Sequence, residues 1–239
     1  MSAISSSRTG HDGTVAVEYD ATTGSYRVVD GSLSRSFTAA DEVERDATVT
    51  VYEQVSGNRT DQLTLFNPGS GNPDMALSYT SYGAWTTMTS GSGTADFDQR
   101  YFVYGVRQAA SAPSTGRGSY TTSVNGMWAT ADGVYELGGI SSLTADFSSM
   151  TVETNLDLTG TMDGTTRSLG MFAGTGSIAA RGGSFSGSFT HLNGDDRGNL
   201  YTGGFDGAFF GPGGEEVGYS FSLTGPGGAA AGAVVGKGN

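Results

Sequence analysis

The stretch GGFDGAFFGPGGEEVGYSFSL, Gly203 to Leu223, decides how this chain is read. Glycine weakens helices and strands by roughly 0.5 to 1 kcal/mol per position, yet here it alternates with Phe205, Phe209, Phe210 and Phe221, residues that need a core. Phe205 and Phe209 are four apart, as are Phe185 and Phe189 in GSFSGSF, so each pair faces one side of its strand. Strands that close into a barrel need strong tilt and coiling, and glycines at the bends permit it while leaving room for neighbouring rings. The stretch therefore predicts a closed barrel with a side-chain-filled interior, which moves any ligand to the loops, the rims or a domain interface.

Working outward, segments of period-2 alternation separated by turn residues run through the chain, and helical periodicity is nearly absent. Eight of them follow Gly116: Arg117 to Val124, Val134 to Phe147, Met150 to Leu158, Ser168 to Ala179, Gly183 to Leu192, Leu200 to Phe210, Glu216 to Leu223 and Ala230 to Lys237. At this spacing they predict an eight-stranded antiparallel up-and-down barrel, whose closure removes exposed edges. Before them, strands are expected at Thr14 to Tyr19, Ser25 to Val29, Ala47 to Val55, Gln62 to Phe66, Met75 to Trp85 and Tyr101 to Val106. TAADEVERD, Thr38 to Asp46, reads as a helical turn with acidic residues near its start. The small and polar run QAASAPSTGRG, Gln108 to Gly118, breaks the pattern. The fold class is thus all-β, with a small N-terminal β handle domain at 1–107, a linker at 108–116 and the barrel at 117–239.

Composition narrows the function. The chain has 239 residues, 40 glycines and a net charge of −12, the wrong sign for a nucleic-acid or anionic-membrane surface. No run of about 18 apolar residues could span a bilayer as a helix. The start MSAISSSRTG lacks the apolar stretch of a signal peptide, so any export signal is expected to have been removed. Cysteine is absent, which excludes disulfides, thiolate nucleophiles and Cys-based metal sites.

AFFGPGGEEVGYSFSL followed by AGAVVGKGN closely resembles the end of the barrel domain of transferrin-binding protein B-like surface proteins. There, a strand ending in Phe-Phe runs into Gly-Pro, a short acidic turn with two Glu and a Gly-containing strand, and a last strand ending in Gly-Lys closes the domain. LGGISSLTADFSSMTV, GSFSGSF and YFVYGVRQAASAPSTGRGSYTTSVNG also fit that pattern, and the resemblance covers Arg100 to Asn239 best. It implies a handle-plus-barrel protein on the cell surface of the outer membrane as a lipoprotein, or secreted as a haemophore. Its implied ligand is haem or an iron-carrying protein, with a possible outer-membrane receptor. The same plan serves proteins that bind complement regulators, so a surface protein-binding module without haem, of adhesin or immune-evasion type, is the alternative. The lipid-bearing Cys of such lipoproteins has no counterpart here, so it lies outside this sequence or the protein is secreted.

Motif by motif, little points to catalysis. There is no G-x-S-x-G elbow, and GAVVGKG has the wrong length and spacing for a phosphate loop. Glu215 and Glu216 are adjacent and diverge, which suits a turn better than a paired acid and base. NGDDRGN, Asn193 to Asn199, has the oxygens but not the spacing of a Ca²⁺ loop and reads as a solvated hairpin. A non-catalytic binding protein is expected. The candidate ligand-binding residues are Tyr79, Tyr82 and Trp85 in SYTSYGAW, with Met75 and Met88 nearby. Alternation puts Tyr79 and Tyr82 on opposite faces, so at least one aromatic is expected to face outward. His191, near a barrel rim, is the candidate haem axial ligand, with His11 the less favoured one.

Overall fold

The computed structural model describes residues 7–8, 14–69, 76–91, 95–108, 115–180 and 183–239. His11 and Met75 lie outside them. Strands β1 (Ser7–Arg8), β2 (Thr14–Asp20), β3 (Ser25–Asp30) and β4 (Leu33–Phe37) form one antiparallel sheet. A second contains β5 (Glu42–Arg45), β6 (Val49–Ser56), β7 (Arg59–Phe66), β8 (Thr80–Ser90) and β9 (Ala95–Gly105). The remaining strands close a barrel: β10 (Arg117–Thr130), β11 (Gly133–Asp146), β12 (Thr151–Met162), β13 (Thr165–Ile178), β14 (Ser184–His191), β15 (Thr202–Phe210), β16 (Glu216–Gly225) and β17 (Gly228–Gly238).

The barrel register answers why aromatics and glycines alternate. Across β14 and β15, Phe185 pairs with Gly207, Gly187 with Phe205 and Phe189 with Gly203, so each ring lies opposite a glycine. A Cβ on Gly187 would sit 2.4 Å from the Phe205 ring, and one on Gly207 would sit 2.7 Å from that of Phe185. The missing side chains are therefore the space the rings occupy. Phe185, Phe189, Phe205, Phe209, Tyr219 and Phe221 fill the interior, as the sequence predicts, and the Tyr219 and Thr154 hydroxyls meet there at 2.7 Å.

In the handle the two sheets pack face to face over Val15, Val28, Phe37, Leu63, Trp85 and Phe102. The other face of the second sheet, with Tyr82, Ala84, Tyr101 and Val103, lies on the outer barrel wall at Ala208, Phe210, Ala233 and Val235. This middle sheet is thus covered on both sides, and β8 is buried from Thr80 through Trp85 without alternation.

Thr38 to Asp46 departs from the sequence reading. Only Ala39–Asp41 forms a helical turn, of the 3-10 type, and the chain continues as β5. The Asp41 carboxylate accepts the Thr38 amide at 2.7 Å and so caps the start of this turn, and Glu42–Arg45 then joins the edge of β6. Strands β1, β4 and β5 were not anticipated, because SR, LSRSF and EVER offer few β-forming residues. The first barrel strand runs on to Thr130 because Asn125-Gly126, a turn signal by composition, lies inside the ladder against Ala233 and Gly232.

Candidate functional site at the seam between handle and barrel

The handle is fixed to the barrel by a carboxylate. Glu216, at the start of β16, is 5% exposed and accepts the amides of Ser78 at 2.6 Å, Tyr79 at 2.8 Å and Thr80 at 2.9 Å. Such charge-assisted bonds are roughly twice as strong as neutral ones. The adjacent Glu215 turns away and accepts the Gly213 amide at 3.0 Å, so the pair diverges as its adjacency predicts. The amides Glu216 meets come from the handle, not from a helical turn in its own loop.

Beside this clamp the predicted aromatics separate. Tyr79 is half-buried over the Gly211 turn, where a Cβ would sit 2.7 Å from its ring. Tyr82 is buried at the seam, stacked on Phe66 with ring centroids 4.2 Å apart. It lines a cleft of about 340 Å³ with Phe66, Tyr101, Gln99, Met127 and Glu136. Burial, reinforced by the nearby Glu136 charge, raises the pKa of Tyr101, so its hydroxyl stays neutral. Trp85 lies on the opposite face, inside the handle, and donates its indole N–H to Asp61 at 3.2 Å. Tyr79 and Tyr82 thus share the seam, and Trp85 does not join them.

Trp85 instead belongs to a charge network that sequence reasoning missed. Asp61 is buried and accepts from Arg35 and Arg59, each at 2.7 Å, and from Thr87 at 3.0 Å. Burial alone would raise its pKa, but the hydrogen bonds from Arg59, Arg35 and Thr87 outweigh it and hold the carboxyl well below the usual range. Arg100 lies over the Trp85 ring and pairs with Asp30 and Asp98.

His191 stands at the end of β14, stacked on Phe172 at 4.1 Å between centroids. Its Nδ1 accepts the Tyr201 amide at 2.9 Å, so the neutral ring carries its proton on Nε2. That nitrogen is buried without a hydrogen bond, and a Cβ on Gly170 would sit 2.3 Å from it. Burial lowers the His191 pKa, partly offset by the Leu169 carbonyl and the Asp195 charge. The Gly194 carbonyl and the Asn193 side-chain oxygen crowd the same point beside Gly170.

The same barrel end explains NGDDRGN. Asp195 accepts the amides of Arg197 and Asn199 at 2.9 and 2.8 Å, and Asp196 takes a two-pronged bond from Arg167. The loop consumes its own carboxylates, and among the described residues there is no group of three or more His, Asp or Glu able to hold a metal ion.

In fold, this filled eight-stranded barrel with its two-sheet handle is similar to a solved transferrin-binding protein B structure. Intact Ap-TbpB, with its N and C lobes, matches at a TM-score of 0.50 and 12% identity, over 95% of this chain and 52% of that one. The isotype 1 transferrin-binding protein B of serogroup B Neisseria meningitidis matches at 0.49 and 17%, over 100% and 43%. A structure described as a surface lipoprotein matches at 0.45 and 13%, over 94% and 97%. The likeness concerns fold, and the chain spans about half the length of these two transferrin-binding proteins. No family model and no curated protein matches the sequence.

Proposed function

We propose that this protein is a non-catalytic binding module displayed at the cell surface, and that its ligand is a protein of the iron-carrying kind. The observation that carries this reading is the seam. Glu216 and the packed Tyr82, Phe210 and Val235 surface hold handle and barrel in one orientation, which presents a rigid, composite outer face. Preorganisation of this sort lowers the entropic cost of binding a large partner. The barrel interior is filled, so a flat cofactor has no place there. The fold's likeness to proteins named for transferrin binding supplies the class of partner.

The test is direct binding of the immobilised protein to iron-loaded and iron-free transferrins, beside an absorbance titration with haemin. Saturable transferrin binding with no sharpened Soret band is the expected outcome. A defined 1:1 haemin spectrum without protein binding would transfer the assignment to haem, with His191 as the ligand to mutate. Glu216→Ala should weaken transferrin binding while leaving the barrel folded, because it unfastens the handle. Surface labelling of intact cells reports the location.

A further inference from the structure

Among the arginines whose side chains are described, Arg107 is the exception. Each of Arg27, Arg35, Arg45, Arg59, Arg100, Arg117, Arg167 and Arg197 has a carboxylate within ion-pair distance. Arg107, just past the end of β9, has none among the described residues, although it is half-buried and the chain carries twice as many acids as bases. Its guanidinium lies 6.0 Å from the Phe210 ring centroid. Leaving a charge partly desolvated and unpaired is costly, and burial lowers the Arg107 pKa with no opposing charge to restore it.

The side chain lines a cavity of about 370 Å³ at the junction of the handle with β13, β14 and β15. Ser177, Ser184, Ser186 and Asp206 line its wall with Arg107, while the side chains of Ile178 and Phe185 turn into the barrel core behind it. Volumes from about 300 Å³ upward suit small organic ligands. A planar guanidinium fork with neighbouring hydroxyl donors matches the oxygens of a carboxylate. Arg107 supplies a single positive charge, so a monoanion balances it better than a dianion.

We propose that this cavity binds a monoanionic carboxylate, held by Arg107 and the serine hydroxyls. The carboxylate belongs either to a free small acid or to an acidic side chain of a docked protein. The site is independent of the partner proposed above.

The full chain is titrated with benzoate, with inorganic phosphate and with the blocked peptide acetyl-Gly-Glu-Gly-amide, following the Arg107 Nε–H resonance by NMR. Benzoate or the peptide should shift it saturably, and phosphate should act more weakly. Saturation by benzoate alone identifies a free acid as the source, and saturation by the peptide identifies a protein side chain. R107Q should weaken binding at least about tenfold, the scale of losing a charge-assisted hydrogen bond. R107K, which keeps the charge but loses the fork, should fall between. R107Q should also melt no lower than the parent, since it removes an unpaired charge; if it fails to fold, R107K and the titrations decide. No saturable shift with benzoate or the peptide up to tens of millimolar overturns the proposal. So does R107Q binding as tightly as the parent, read by shifts of the Ser184 and Ser186 amides.

Discussion

In the barrel, Phe185, Phe205, Phe209 and Phe221 meet around the Tyr219–Thr154 hydroxyl pair, whereas the handle interior admits Asp61 and Arg100 beside Trp85. The difference follows from closure. A barrel has no edge strand, and its register is fixed once every strand has two neighbours, so apolar rings opposite glycines suffice to fill it. The handle is two open sheets that could slide, and a buried charge network with directional partners discriminates against a shifted alignment. Arg35 on β4 reaches Asp61 on β7, and Arg100 on β9 reaches Asp30 on β3, so both ties run between sheets.

The bluntest break of this comparison is to delete the handle. A fragment of residues 116–239 should retain a cooperative β-sheet signature in circular dichroism, because its ladder is self-contained. It should also associate readily, since Phe210 and Val235 lose their cover. A disordered fragment would make the handle part of the barrel's folding unit.

Within the barrel, Phe209→Ala should cost about 3 to 5 kcal/mol in urea unfolding, as the ring has no exposure and few ways to be replaced. A loss below about 1 kcal/mol would mean that the core tolerates cavities. In the handle, Asp61→Asn keeps the shape but removes the charge that Arg35 and Arg59 share, and should cost about 2 to 3 kcal/mol. The same group makes the handle acid-sensitive. Its folded pKa lies below the unfolded one, so its contribution is present above about pH 4 and declines as pH falls further.

The smallest effect belongs to His191. The unfolded chain takes up a proton at the ordinary histidine value, 6.5, while the native ring resists until lower pH. The unfolded state therefore binds more protons in that window, and stability declines as pH falls below about 6.5. Calorimetric melting temperatures at pH 8 and pH 5.5 should differ less in His191→Gln than in the parent. An equal difference would assign the dependence to other groups.

The barrel was legible because its evidence is local: Phe-x-Gly-x-Phe puts ring, gap and ring on one face within five residues. The handle was less so. LSRSF and EVER become strands through partners, and the doubly covered β8 hides its alternation, since one face meets the first sheet and the other the barrel. The clamp was invisible in principle, because Glu216 finds the Ser78 amide 138 residues away. Tyr79 and Tyr82 drew notice as an aromatic cluster, but only the seam reveals what they face. Arg107 carried no sequence signal at all; its distinction is a missing neighbour.

The chain has two tryptophans, and the fold gives one to each part: Trp85 to the handle and Trp128 to the barrel, both without solvent exposure. Their indole N–H groups sit in different polarity, against the Asp61 carboxylate in one case and the Tyr201 hydroxyl at 3.1 Å in the other. The molecule therefore carries two intrinsic fluorophores, each reporting on its own compartment. Removing either by Trp→Phe leaves an emission signal from the other alone, so the melting of handle and barrel can be watched separately in the intact chain without any attached label.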